Sequence, residues 1–210
     1  MLVPKARQRE RVMSSLPANN NGHVRIGQVL DTLFAGHEGR LELRALRDGV
    51  AIPGFYDVTD RRGIARFLEL YFDRNLYWGC GLRGPEDCGD ADHVVALPFL
   101  FCDVDFEQTP EADARIRLER LPFPPTVGVH SGGGWHLYWK TREPIALPKE
   151  TAATLALLRR LAATVGGDMS CCDLARVLRV VNTTNHNYTP TRPVTVWRYD
   201  GDAAGIDPAE

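Results

Sequence analysis

The sequence predicts a mixed α/β fold of the α+β kind, in which short strands alternate with amphipathic helices. Three features carry this expectation. Residues 94–102 form the longest apolar run in the chain and read as a buried strand. Apolar side chains recur at helical spacing within 26–34, 64–71 and 148–165. Between them lie β-rich stretches at 41–47, 76–78, 126–130, 135–140 and 194–199.

Taken in order, residues 1–22 end in Pro-Ala-Asn-Asn-Asn-Gly and read as a flexible arm. Ile26, Val29, Leu30, Leu33 and Phe34 share a helical stripe that Gly36 is placed to stop. A strand follows at 41–47. Polar residues at 57–60 start a second helix, with Ile64, Phe67, Leu68 and Tyr71 on its buried face. Residues 76–78 are a short strand, and the Gly-, Pro- and Asp-rich stretch 79–92 a loop. After the strand at 94–102, residues 110–120 predict a charged helix. Two extended stretches then flank a glycine cluster. The helix at 148–165 places Leu155, Leu158, Leu161 and Val165 on one stripe, 173–180 is a short helix candidate, and 194–199 is a last strand. Residues 23–200 thus form a single domain, with an α/β lobe at 23–92, a second lobe at 93–200, and a frayed polar tail at 201–210.

Composition narrows the functional classes. A chain of 210 residues with 44% hydrophobic content can bury one core, or one core with a smaller lobe. Its net charge of −2 gives no global attraction for nucleic acid, so any such site must be local. Lys5, Arg7, Arg9 and Arg11 make the start basic, but no apolar segment follows, and no run nears the ~20 residues that span a bilayer. A cytoplasmic protein with no membrane partner is expected. Five cysteines, an odd number, point to reduced thiols, with the adjacent Cys171 and Cys172 as packing or loop residues. Cys80, Cys88 and His93 fit no common zinc spacing and lack a fourth ligand, so zinc is not expected.

Three segments carry chemistry. Asp103 and Asp105 close the apolar strand, two residues apart and hence on one face. Such a pair suits a hard divalent cation, Mg²⁺ or Mn²⁺, although by itself the spacing equally suits a solvated strand end. The second segment is Val-His-Ser-Gly-Gly-Gly-Trp-His-Leu-Tyr-Trp-Lys, residues 129–140. Gly132, Gly133 and Gly134 allow backbone to approach a phosphate, or simply make a hairpin. Alternation would put His136 and Tyr138 on a polar functional face, and Trp135, Leu137 and Trp139 on an aromatic packing face. His130 reads as a loop or strand-end residue. The third segment, residues 166–187, offers Asp168 and Asp173, then Arg176 and Arg179 one helical turn apart. Asp173 alone could be a helix N-cap, and the arginines a solvated face.

In this order, strand–Asp-x-Asp, Ser-Gly-Gly-Gly-x-His, then Gly-Asp with Asp-x-x-Arg-x-x-Arg and Thr-x-Asn, the segments resemble the archaeo-eukaryotic primase superfamily. Within it they are similar to primase–polymerases and to plasmid or phage replication primases. The resemblance covers roughly residues 75–187. It implies an RNA-recognition-motif-like catalytic sheet with helices, fused to an N-terminal α/β unit. It implies a two-metal site in which Asp103 and Asp105 hold Mg²⁺ or Mn²⁺, with Asp168 as third acid and Asp173 as second choice. Ser131, the three glycines and His136 would bind the incoming triphosphate, with Arg176, Arg179 and Asn185 beside them. The family segment usually reads Arg-Val-x-Arg-x-Pro-Gly-Thr-x-Asn-x-Lys; here Val181-Asn182 replace Pro-Gly and Asn187 replaces the lysine.

The activity implied is template-directed nucleotidyl transfer by a DNA primase and polymerase, in replication of a plasmid, phage or other mobile element. Its partners would be nucleoside triphosphates, a single-stranded DNA template and a helicase domain in a longer parent chain. Two other classes stay open. One is a catalytically lapsed single-strand or origin DNA-binding module. The other is an Asp-x-Asp glycosyltransferase, which would need neither His136 nor the arginines.

Overall fold

The structure, a computed structural model, describes residues 24–208. The arm expected at 1–22 lies outside the described residues. Helix α1 (Ile26–Phe34) buries Val29, Leu30, Leu33 and Phe34, and Gly36 follows it at φ +82°. Strand β1 (Arg40–Arg47) then pairs with β2 (Val50–Asp57) through Asp48 and Gly49, both at positive φ. Asp-Gly is a strong two-residue hairpin signal. Strand β2 was not among the expected elements, because Pro53 and Gly54 interrupt it. Among the described residues its only strand partner is β1, and an edge strand tolerates proline.

Helix α2 (Arg61–Leu70) is capped by Asp60, whose carboxylate accepts the Gly63 N–H at 2.9 Å, and it buries Ile64 and Phe67. Strand β3 is Asn75–Gly79. The predicted loop at 79–92 contains a two-residue strand, β4 (Leu82–Arg83). The long strand β5 (Val94–Asp105) ends on the two aspartates, as the sequence predicts. Helix α3 (Glu111–Leu118), β6 (Val127–His130) and β7 (Gly134–Ala146) follow, β7 running six residues past its expected end. Helix α4 (Thr151–Val165) buries Thr154, Leu158, Ala162 and Val165, whereas Leu155 and Leu161 are only partly covered.

The short helix expected at 173–180 is instead a turn leading into β8 (Val177–Arg179), which pairs with β3. The β-branched run Val177, Val180, Val181 favours the strand, and β3 offers it an open edge. Strands β9 (Thr184–Asn185) and β10 (Arg192–Pro193) make a separate ribbon, and β11 (Thr195–Tyr199) closes the order. The tail is not frayed through 208. Ile206 pairs with Thr141, donating its N–H to the Lys140 carbonyl at 2.8 Å and accepting the Arg142 N–H at 3.0 Å.

Nine strands form one sheet in the order β11-β6-β7-β5-β4-β1-β3-β8, with β2 also on β1, and every pairing is antiparallel. The sheet is continuous across residues 92 and 93, because β4 joins β5 to β1. One face of β5 carries Leu100, Cys102 and Val104 towards α4. The other carries Phe99 and Phe101, with Phe34 of α1 set edge-on to Phe99 at 5.2 Å. Both faces of β7 are therefore buried, against the expectation of one polar face. Tyr138 is fully covered, packs on Phe99 and accepts the Trp78 Nε1–H at 3.1 Å.

A buried ion pair crosses this sheet. Arg83 Nη2 lies 2.7 Å from Glu42 Oε2, and both side chains have no solvent exposure. Arg83 also donates to the carbonyls of Leu174 and Ala175 at 3.4 and 3.3 Å, which anchors the chain entering β8. Arg44 Nε donates to the other Glu42 oxygen at 3.0 Å, so the carboxylate is fully engaged.

Candidate active site

Antiparallel register puts Asp103 directly opposite His136, and Asp105 opposite Gly134. Side-chain alternation turns Asp103, Asp105 and His136 to one face, where they line an open cleft of about 320 Å³. Ser131, Gly133, Arg176, Arg179 and Asn185 line it too, so four stretches of chain converge there. His136 Nε2 is 3.6 Å from Asp103 Oδ1, too long for a direct hydrogen bond. Its Nδ1 is buried and has no hydrogen-bond partner among the described residues.

Burial drives the His136 pKa down to about 4, although the Asp103 carboxylate opposes the shift. The imidazole is neutral at pH 7, with one N–H to donate. The unfolded chain takes this proton near 6.5, the folded chain only near 4. Stability should therefore be full above pH 6.5 and fall as pH drops through 4, by about 3 kcal/mol from this group. Urea denaturation in EDTA between pH 7 and 4 should show a shallower decline for His136→Gln than for the parent. Identical slopes would contradict this burial.

Asp168 is placed by main chain. Gly166 ends α4 at φ +86°. A Cβ on Gly167 would lie 2.2 Å from Cys102 Sγ and 2.8 Å from the Asp103 carbonyl, so only glycine lets the chain pass this close to β5. Asp168 then donates its N–H to the Asp103 carbonyl at 2.7 Å. Cys171 Sγ lies 3.5 Å from Asp103 Oδ2 and 3.4 Å from Asp168 Oδ2, so its one proton is shared by two carboxylates. Burial first, then the Asp103 charge, push that thiol up to about 12. The Ser170 hydroxyl holds Asp168 below the usual carboxylate range; partial burial opposes this and the Ser170 N–H adds to it. Asp173 is committed elsewhere, accepting from Arg176 Nη2 at 2.6 Å.

The glycine loop is braced from several sides. The Ser131 N–H and hydroxyl both donate to the Gly134 carbonyl, at 2.9 and 3.1 Å. Gly132 (φ +97°) donates its N–H to His130 Nδ1 at 3.2 Å, so His130 holds the turn that Gly132 was expected to open to phosphate. Asn185 Nδ2 donates to the Ser131 carbonyl at 2.8 Å, and Arg192 Nη1 to that of Gly132 at 2.6 Å. Asn185 therefore positions the loop.

Arg176 and Arg179 do not share a helix face, since no helix is present, yet both reach the cleft. Arg179 donates to Asn75 Oδ1 at 2.7 Å and sits 4.9 Å over the Tyr77 ring. Tyr77, Asn187 and Tyr188 also line the cleft and were not among the expected site residues. Strand alternation at 76–78 was the one available signal for Tyr77, which must face away from the buried Trp78. Asn187 anchors to Asn75 Nδ2 at 2.8 Å, where the resembling family has a lysine.

Asp105 shares the cleft with Asp103, Cys171 lies between the Asp103 and Asp168 carboxylates, and among the described residues no lysine or arginine pairs with any of the three acids. Neighbouring carboxylates without a cationic partner suit a divalent metal, which oxygen ligands of this kind could hold.

Comparison with known proteins agrees with this architecture. No family model and no curated protein matches the sequence. Among solved structures, the chain is similar to the AEP domain of the cyanophage S-2L primase–polymerase (TM-score 0.61, 18% identity), over 86% of this chain and 91% of that one. It is similar to the primase RepB′ (TM-score 0.58, 18% identity, 88% of this chain and 58% of that one). It also resembles the RepB′ catalytic domain in complex with initiator DNA (TM-score 0.57, 17% identity, 88% of each chain). The chain shares its fold with the AEP domain of that primase–polymerase and with the primase RepB′.

Proposed function

We propose that the chain is the catalytic domain of a DNA primase–polymerase, a nucleotidyltransferase that copies a single-stranded DNA template from nucleoside triphosphates. Replication of a plasmid, phage or other mobile element is the setting in which its structural neighbours suggest it works. The supporting observation is the Asp103–His136 register, with Asp105 in the same cleft and Asp168 tied to Asp103 through its backbone and through Cys171, on a primase fold.

In the reaction a primer 3′-oxygen bonds to the α-phosphorus, the bond to the β-phosphate oxygen breaks, pyrophosphate leaves and the hydroxyl proton passes to solvent. Two ions of the Mg²⁺ or Mn²⁺ class, held by Asp103, Asp105 and Asp168, would lower the hydroxyl pKa and offset charge on the attacking and leaving oxygens. Neutral His136 donates its N–H towards the triphosphate, in a site whose walls keep the imidazole uncharged. Arg176 and Arg179 offset phosphate charge on nucleotide or template. Asn185 and Arg192 hold the glycine loop so that Gly133 and Gly134 backbone faces the same space. The shared fold gives no support to a sugar-nucleotide transferase.

The test is synthesis of labelled product on single-stranded DNA with Mn²⁺ or Mg²⁺, comparing ribo- and deoxyribonucleotides. Asp168→Asn should lower synthesis at least about 100-fold, whereas Asp173→Asn, which removes an ion pair already half in solvent, should cost under about 5-fold. The reverse order would reassign the third acid. DNA binding without metal-dependent nucleotide binding would instead identify a lapsed module.

A further inference from the structure

A second cluster of metal-ligating groups lies in the loop that precedes β5, outside the cleft. Cys88, Asp90 and His93 each offer a ligand atom, and these atoms all lie within 4.8 Å of one another. We propose that Cys88, Asp90 and His93 form a Zn²⁺ site, with solvent as the fourth ligand.

Charge and chemistry select the ion. One thiolate, one carboxylate and a neutral imidazole sum to −2, which balances a divalent cation. A sulfur ligand disfavours Mg²⁺ and Ca²⁺, whereas Zn²⁺ takes sulfur, nitrogen and oxygen together. Cys88 Sγ now donates to Asp90 Oδ2 at 3.4 Å, and that shared proton is what a cation would displace. The Nδ1 atom of His93 is buried and has no hydrogen-bond partner among the described residues.

The loop is held ready. Gly84 donates its N–H to the His93 carbonyl at 2.9 Å, and the His93 N–H donates to the Asp90 backbone carbonyl at 3.2 Å. Asp87 pairs with Arg40 at 2.7 Å. Little ordering is left for the metal to impose, which favours binding. Sequence spacing alone offered Cys80 as a companion, but Cys80 is wholly buried and stands outside the cluster. Asp90 takes its place.

Co²⁺ titration of the full chain provides the test, in an Asp103→Asn, Asp105→Asn background that silences the cleft. One equivalent should produce a sulfur-to-cobalt charge-transfer band and tetrahedral visible bands, both bleached by Zn²⁺. Cys88→Ser should abolish the charge-transfer band, and His93→Gln should weaken binding at least 10-fold. Cys171→Ser should leave the band intact. No band at one equivalent, or a band lost with Cys171→Ser and kept with Cys88→Ser, would overturn the proposal. Because the readout is spectroscopic and two of the site's acids are removed, it stands or falls separately from polymerase activity.

Discussion

Converting Asp103 and Asp105 together to asparagine should reduce templated synthesis about 1000-fold or more while leaving the fold intact. Both side chains face the cleft rather than the core, and asparagine keeps their volume. What disappears is the negative charge that holds a divalent cation. Ion-mediated charge stabilisation is worth several kcal/mol, and each 1.36 kcal/mol is a factor of ten in rate. The folding signal should persist unchanged by circular dichroism, and Mn²⁺ binding by calorimetry should fall in step with synthesis. A double variant that still makes product at the parent rate would remove the acids from the reaction.

The largest effect on stability is expected far from the chemistry. Arg83→Met should cost about 3–5 kcal/mol, because it strands the Glu42 carboxylate in a site with no solvent exposure. For a chain of this size that lowers the melting temperature by about 6–20 °C. Removing both charges, as Glu42→Leu with Arg83→Met, should recover most of the loss, since a well-packed apolar pair can replace a buried ion pair. Thermal and urea denaturation of the three variants measure this directly. If the single variant melts with the parent, Arg44 alone suffices to neutralise Glu42.

The elements with long periodic signals were legible from residues. The stripe Val29–Leu30–Leu33–Phe34 and the apolar run into Asp103 announce their helix and strand through burial alone. Elements whose reason lies elsewhere in the fold were not. Strand β2 carries Pro53 and a Gly54 that makes room for Phe67, so its identity depends on α2 and an edge position. Strand β8 is short enough that helix and strand patterns fit equally, and β3 decides between them. Of the residues singled out by the ordered motifs, Asp103, Asp105 and His136 share one cleft and Asp168 sits behind Asp103, because strand alternation and register follow from spacing along the chain. Tyr77, Asn187 and Tyr188 join through tertiary contacts that leave no local pattern. The same holds for His130, whose ring accepts a backbone N–H two residues on.

The main-chain hydrogen bond from the Asp168 N–H to the Asp103 carbonyl, with Gly167 pressed against the same strand, has a dynamic consequence. Two acids separated by 65 positions in sequence ride on one main-chain junction. A fluctuation that displaces β5 carries both carboxylates together, so their mutual spacing varies less than the place of either one. Side-chain rotation is then the main freedom left for adjusting to ions of different radius.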